Sequence, residues 1–267
     1  MRRLLRVIHI AALLTLLPPG VQAVEIKTPL QAVQALGHEM SEMRHMLETF
    51  AMIGTGVTFQ LPKEQLKRSV ALYEEVIAAM EKGFPDIAIQ KQITIGRKGW
   101  VPVKQALEAS LQARPSPEAM KKGAIYIHGN IRTVIKAMES MKATMLTRAK
   151  FKAIKALNAA IEIDASARRL SAHYAMWMWN LPDPTIEAHW QKGARIYVKS
   201  LETLETSSFA ADPAFKALLD TARQQLSLFG MMHKMAEHKR FTPALAQTRA
   251  AKASEAAIKM AEVILKE

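Results

Sequence analysis

The side chains that could do chemistry are concentrated in residues 38–53, which read HEMSEMRHMLETFAMI. Three methionines stand three residues apart in this stretch, and two histidines lie among them. Thioether and imidazole groups are ligands that suit Cu(I). One hypothesis for the stretch is therefore periplasmic Cu(I) binding, with His38, His45 and Met46 as the ligands.

A second pattern in the same residues favours an ordinary packed helix. Apolar side chains recur at steps of four, three, four and three residues, which is the spacing of a buried helical seam. The residues concerned are Leu36, Met40, Met43, Leu47 and Phe50. Because the seam accounts for Met40 and Met43 as core residues, we prefer it to the copper hypothesis.

The arginines suggest another kind of site. A guanidinium group stays charged when it is buried, and its planar set of N–H donors matches a flat oxyanion. Arg44 lies within the stretch, and Arg168 and Arg169 lie further along the chain. We predict that these three arginines and His45 bind a small anion. The competing interpretation is that they are ordinary exposed arginines or that they form salt bridges with acidic residues nearby in sequence.

Catalytic motifs are missing from the sequence. There is no nucleophile elbow, no HExxH and no glycine-rich phosphate loop. A di-iron bundle needs the Glu-x-x-His motif twice, and we find it only once, at Glu42–His45. We therefore predict a protein that is not an enzyme and carries no cofactor. Its formal charge of +13 suggests anionic partners, but no nucleic-acid-binding signature is present.

The first residues predict export. MRRLLR is a basic region, an apolar run of 11 residues follows, and Val21-Gln22-Ala23 is a small-residue cleavage pattern. We predict a signal peptide over residues 1–23, cleavage between Ala23 and Val24, and a periplasmic mature chain. The alternative is an uncleaved N-terminal anchor. No later run is apolar enough to span a bilayer, so any other membrane contact would be peripheral.

The punctuation of the chain is helical. Short polar residues precede prolines at five places, and this pair is typical of a helix N-cap followed by the first helical residue. Between these points the apolar residues recur with a period near 3.6. The predicted helices span residues 29–54, 62–82, 86–112, 117–149, 150–180, 184–206, 213–238 and 243–265. Residues 130–181 contain neither glycine nor proline. We therefore expect one long helix that is shared by two domains.

A weak internal repeat divides the chain in two. An offset of 124 residues places Arg44 on Arg168, and it places Phe50-Ala51-Met52 on Tyr174-Ala175-Met176. A repeat of this size indicates a duplicated unit, and four helices around one core would bury four apolar stripes. We predict an all-α fold of two tandem four-helix bundles, residues 24–149 and 150–267. The two units could form a pseudo-dimer that brings Arg44 and Arg168 to one axis; a homodimer of two chains is the other arrangement.

The segment Arg168-Arg169-Leu170-Ser171-Ala172-His173 resembles the Arg-Met-Leu-Ser-Gln-Arg signature of the PilJ/NarX-like sensor domain. In the first unit the signature falls on residues 45–50, or begins at Arg44. The resemblance implies two tandem copies of a periplasmic sensory bundle, like those of type IV pilus chemotaxis transducers and nitrate-sensing kinases. In nitrate-sensing members, arginines of the first helix meet across a dimer axis and hold a small oxyanion. This chain departs from the signature at its second arginine, which is Phe50 or His173.

Two classes of function follow from these observations. The first is a soluble periplasmic sensor or binding protein that recognises a small anion, such as nitrate or nitrite, or a membrane signalling protein. The second is a structural or interaction module that docks onto a membrane complex without a small ligand. We expect the first because the signal peptide, the repeat and the arginine-bearing signature occur together.

Overall fold

The computed structural model describes residues 24–58, 61–112, 116–236 and 243–266. Within these ranges the chain is helical and contains no β-strand, so the prediction of an all-α fold is confirmed. The predicted signal peptide, residues 1–23, lies outside the described residues. No helix in the described ranges is long and apolar enough to cross a bilayer.

Eight α-helices follow one another along the described chain. A short 3-10 helix, Ser208–Ala211, precedes the seventh. The α-helices are α1 (Pro29–Gly54), α2 (Pro62–Gly83), α3 (Ile87–Gln112), α4 (Pro117–Arg148), α5 (Ile154–Met178), α6 (Thr185–Glu205), α7 (Pro213–Lys234) and α8 (Pro243–Ile264).

The predicted caps explain where several helices begin. The Thr28 hydroxyl accepts a hydrogen bond from the backbone N–H of Gln31, and the Gln31 side chain accepts one from the backbone N–H of Thr28. This reciprocal pair is a capping box, which satisfies two orphan donors of the first turn. Ser116 and Asp212 cap α4 and α7 in the same position. Helix α6 begins one residue later than predicted, at Thr185.

The expectation of one long shared helix is wrong. The chain leaves the helical conformation after Arg148 and re-enters it at Ile154. The reason lies in the burial of α5. Most of its residues are buried, on all sides of the helix. One continuous helix over residues 130–181 would be about 78 Å long and would carry these residues away from α1, whereas a turn places α5 among α1, α6 and α8.

The helices pack in two groups of four that share one hydrophobic core. In the first group α1 contacts α2 and α4, and α4 contacts α3; in the second, α5 contacts α6 and α8, and α8 contacts α7. The groups join through α1 and α5, which occupy the same place in each. The pattern agrees with the predicted repeat, while the domain boundary at residues 149 and 150 stays a prediction.

Helices α1 and α5 run parallel and lie very close together. Ser41 contacts Asp164, and Glu48 contacts Ser171. Each step of seven residues along α1 is therefore matched by a step of seven residues in the same direction along α5. Gly37 permits the close approach, because a methyl group at this position would overlap the Ile161 side chain. The two helices therefore meet with an offset of 123 residues, one less than the offset of the internal repeat.

Candidate anion-binding site

The contact between α1 and α5 is unusually polar for the centre of a protein. The Ser41 hydroxyl donates to Asp164 Oδ1 over 2.8 Å, and the Ser254 hydroxyl of α8 donates to the same oxygen. These three side chains, and Glu48 and Ser171 further along the same contact, are all more than nine-tenths buried. Since buried polar groups need partners, this seam fixes the register of the two helices.

His45 and Arg168 meet on one side of this seam, around a carboxylate. Glu48, which is fully buried, places Oε2 3.0 Å from His45 Nδ1 and 3.7 Å from Arg168 Nη1. Its other oxygen accepts a hydrogen bond from the Ser171 hydroxyl. The protein's own carboxylate thus lies where an anion bound by His45 and Arg168 would lie.

Arg44 and Arg169 meet on the opposite side of the seam and line a cavity of about 90 Å³. Successive residues of a helix point about 100° apart, so Arg44 and His45 face different sides, as do Arg168 and Arg169. The structure therefore separates the four predicted residues into two pairs. Arg44 lines the cavity together with Arg169, while Arg168 lies with His45 at Glu48, so the structure does not bring Arg44 and Arg168 to one site.

Neither cavity arginine forms a hydrogen bond with a carboxylate in the described part of the chain. Arg44 donates from Nη1 to the Met40 carbonyl oxygen over 3.1 Å, and its Nη2 lies 3.9 Å from Glu139. Arg169 Nη1 is buried and makes no hydrogen bond with any described residue. An unpaired buried donor costs free energy. An acceptor placed beside this guanidinium would therefore be bound favourably.

Burial and mutual repulsion lower the pKa values of both guanidinium groups. Burial lowers the pKa of Arg44 to about 9, and the charge of Arg169 adds to the effect, against the opposing charges of Glu162 and Glu139. Burial likewise lowers the pKa of Arg169. Both groups remain cationic at neutral pH, in a setting where an added negative charge would be strongly favoured.

Further cations line the same cavity. Arg132 and Lys136 come from α4, and Lys192 comes from α6. With Arg44 and Arg169 they form what we call the basic cluster. Glu139 is the one carboxylate among the described lining residues. The excess of positive charge gives the cavity a positive potential, which attracts anions.

Three histidines from three helices complete the cavity wall: His128 of α4, His173 of α5 and His189 of α6. Their ring centroids lie 5.3, 5.3 and 5.4 Å apart. We call these residues the histidine cluster. The sequence drew attention only to His173, as a departure from the signature; His128 and His189 lie 45 and 16 residues away, and no local motif connects them.

Hydrogen bonds hold two of the three rings. His128 Nδ1 lies 2.6 Å from Asp183 Oδ2, and His173 Nδ1 lies 2.6 Å from the backbone carbonyl oxygen of Arg169. The Nε2 atoms of the two rings are 3.3 Å apart. Burial lowers the pKa of His173 well below its usual value, and it lowers the pKa of His189 to about 4 with help from the surrounding positive charges.

The structure does not bring the three proposed copper ligands together. His38 and His45 are seven residues apart on one helix, which separates them by about 10 Å along its axis. His45 is engaged by Glu48, and Met46 is completely buried in the core. In the described ranges, no three His, Cys, Asp or Glu side chains are arranged to hold a metal ion.

Comparison with known proteins adds no identification. No family model matches the chain, and neither a curated protein nor a solved structure shows significant similarity to it. What the site can do must therefore be inferred from its own geometry.

Proposed function

We propose that the protein is a periplasmic sensory or binding protein that takes up a small oxyanion in the cavity between α1, α4, α5 and α6. The observation that carries the proposal is the pair Arg44 and Arg169. Both are more than nine-tenths buried, and Arg169 Nη1 has no partner among the described residues. An anion with several acceptor oxygens would satisfy these donors.

The size of the cavity supports a small ligand. A volume of about 90 Å³ is several times what one water molecule needs, roughly 10–15 Å³, yet it is far below the roughly 300 Å³ of a pocket for drug-sized molecules. Planar or tetrahedral oxyanions of three to five heavy atoms are of the right class. Nitrate and nitrite, which the sensor resemblance suggests, belong to that class.

The resemblance to the sensor domain implied that Arg168, the first arginine of the signature, contacts the ligand, and the present proposal does not use Arg168. Arg168 and His45 both contact the buried carboxylate of Glu48, so an added anion would have to displace it. Arg44 faces only the half-exposed carboxylate of Glu139, at 3.9 Å, and Arg169 Nη1 has no partner among the described residues. We therefore place the ligand on the other side of the α1–α5 seam.

The test is a thermal-shift and calorimetric screen of the purified chain with nitrate, nitrite and other oxyanions. Chloride at the same ionic strength is the control for non-specific salt effects. A ligand at about 100 times its Kd would stabilise the fold by about 2.7 kcal/mol. We expect Arg169→Met to abolish this stabilisation and the matched change Arg168→Met to preserve it. Flat responses for every anion with the unmodified chain would refute the proposal.

A further inference from the structure

The proposed anion site uses the basic cluster but leaves the histidine cluster without a role. The three rings form one wall of the same cavity, and Asp183 forms a hydrogen bond with His128. Asp183 belongs to the connection between α5 and α6, where its carboxylate also accepts hydrogen bonds from the backbone and hydroxyl of Thr185. The cluster is thus anchored to the backbone rather than free to rearrange.

The partners of His173 determine where its proton lies. A carbonyl oxygen can only accept, so His173 Nδ1 must carry the hydrogen that bonds to the Arg169 carbonyl. In a neutral ring the other nitrogen, Nε2, is then an acceptor. Burial keeps His173 neutral by lowering its pKa.

The same reasoning assigns the hydrogen-bond roles of His128. Its Nδ1 faces the Asp183 carboxylate, which is ionised because hydrogen bonds from Thr185 and His128 outweigh the effect of burial and lower its pKa. His128 Nδ1 is therefore a donor to Asp183. His128 Nε2 lies 3.3 Å from the acceptor Nε2 of His173 and faces it as a donor.

His189 is the ring whose protonation these contacts leave open. It packs against both other rings, and no hydrogen bond to a described residue fixes its nitrogens. The groups that face it are the basic cluster from α1, α4, α5 and α6, the ring of His128, and the carboxylates of Glu139 and Asp183. Positive charges outnumber negative ones, so an empty cavity keeps His189 neutral.

We propose that an oxyanion enters this cavity together with one proton, that His189 takes up the proton, and that binding strengthens as the pH falls. The proposal rests on the anion site described above and adds its regulation. An anion held by Arg44 and Arg169 would cancel part of the field that opposes a charge on His189. The protonated ring would then contribute a further charged donor to the ligand.

The direction of the pH dependence follows from this field. Burial and the neighbouring charges lower the pKa of His189 to about 4 in the empty cavity, and a bound anion raises it toward its ordinary value near 6.5. Between these limits the complex holds more protons than the free protein. Linkage then makes the affinity rise with falling pH, by at most about tenfold per pH unit for one proton.

The experiment is titration of the full chain with sodium nitrate at constant ionic strength, at about pH 7.5 and about pH 5.5. We expect nitrate affinity to rise at least about fivefold at the lower pH and His189→Gln to remove this rise. Calorimetry at an intermediate pH, in two cationic buffers with different ionisation enthalpies, should show proton uptake that the same variant loses. His38→Gln, a histidine that does not line the cavity, is the matched control and should leave both effects unchanged.

The possible results separate this inference from the proposed function. Nitrate binding that is independent of pH, or that keeps its proton uptake in His189→Gln, overturns the inference and leaves the anion site intact. Failure of every oxyanion to bind at either pH overturns both. Saturable binding of Zn²⁺ or Cu²⁺ alone, lost in His173→Gln, would also overturn the inference, because the two Nε2 atoms would then share a metal ion and not a proton.

Discussion

Arg44 and Arg169 line one cavity, although the internal repeat pairs Arg44 with Arg168. The two arginines reach the same side of the α1–α5 seam because the helices are parallel and each turns its successive residues by about 100°. The other side holds His45, Arg168 and the buried carboxylate of Glu48. One side of the seam thus carries a buried carboxylate beside its arginine, whereas on the other side the cations outnumber the single lining carboxylate, Glu139.

This asymmetry predicts opposite effects of removing adjacent arginines. Arg169→Met should stabilise the ligand-free protein by about 1 kcal/mol, because it removes a buried charge that lacks a close partner. Arg168→Met should destabilise it by about 1–3 kcal/mol, because Glu48 would stay buried without its cation. Urea unfolding at neutral pH and low salt measures both. Equal losses in the two variants would contradict the asymmetry.

Removing the internal carboxylate should open a second anion site. Glu48→Gln leaves the shape of the side chain but takes the negative charge away from His45 and Arg168. We expect a loss of about 1–3 kcal/mol without ligand and recovery of part of it in nitrate. Melting temperatures in nitrate and in equimolar chloride provide the comparison. If nitrate stabilises Glu48→Gln no more than it stabilises the unmodified chain, Glu48 does not stand in for an anion.

The close approach of α1 and α5 can be tested at Gly37. Gly37→Ala should destabilise the fold by about 1–3 kcal/mol, because the added methyl group overlaps the buried side chain of Ile161. Gly129 of α4 is the matched control, since a methyl group there meets no atom within 4 Å. Gly129→Ala should stabilise the protein by about 0.5–1 kcal/mol through helix propensity. Chemical unfolding of both variants checks the pair.

The burial of Glu39 in the first group of helices leads us to predict that stability falls as the pH rises. It is fully buried, neither of its carboxylate oxygens has a partner among the described residues, and burial raises its pKa well above 4.5. A raised pKa means that the folded state holds the proton more tightly than the unfolded state. The stability that Glu39 contributes is therefore present below about pH 4.5 and is lost as the pH rises toward the folded pKa.

The comparison of Glu39→Gln with Glu42→Gln measures this effect. Glu39→Gln should be more stable than the unmodified chain at neutral pH, and the gain should shrink as the pH falls to about 4.5. For Glu42, burial alone would raise the pKa, but nearby positive charges and the Ser69 hydroxyl outweigh it and lower the pKa. Glu42→Gln should accordingly be destabilising at neutral pH. Urea unfolding over this pH range measures the sign of the stability change in each variant. A gain for Glu39→Gln that is independent of pH would count against a protonated Glu39.

Much of the local structure could be predicted because its causes are local. Thr28 and Gln31 form a capping box within four residues of sequence, and proline at position 29 suits the first helical turn. The seam of Leu36, Met40 and Met43 is buried as its spacing predicted. Composition likewise pointed to anionic ligands, since the charge of the chain is a sum over residues and does not depend on how they are arranged.

Only the tertiary structure decided how the ionisable residues meet. Residues 149–153 leave the helix without glycine or proline, because α5 has to be covered on all sides, and this turn brings His128 of α4 beside His173 of α5. His189 joins them from α6. The sequence by itself determined the helices, their caps and the basic charge, whereas contacts between residues far apart in the chain decided which arginines are neutralised and which line the cavity. The physical reason is that a pKa, a charge pair or a cavity depends on the distance between side chains, and packing sets that distance.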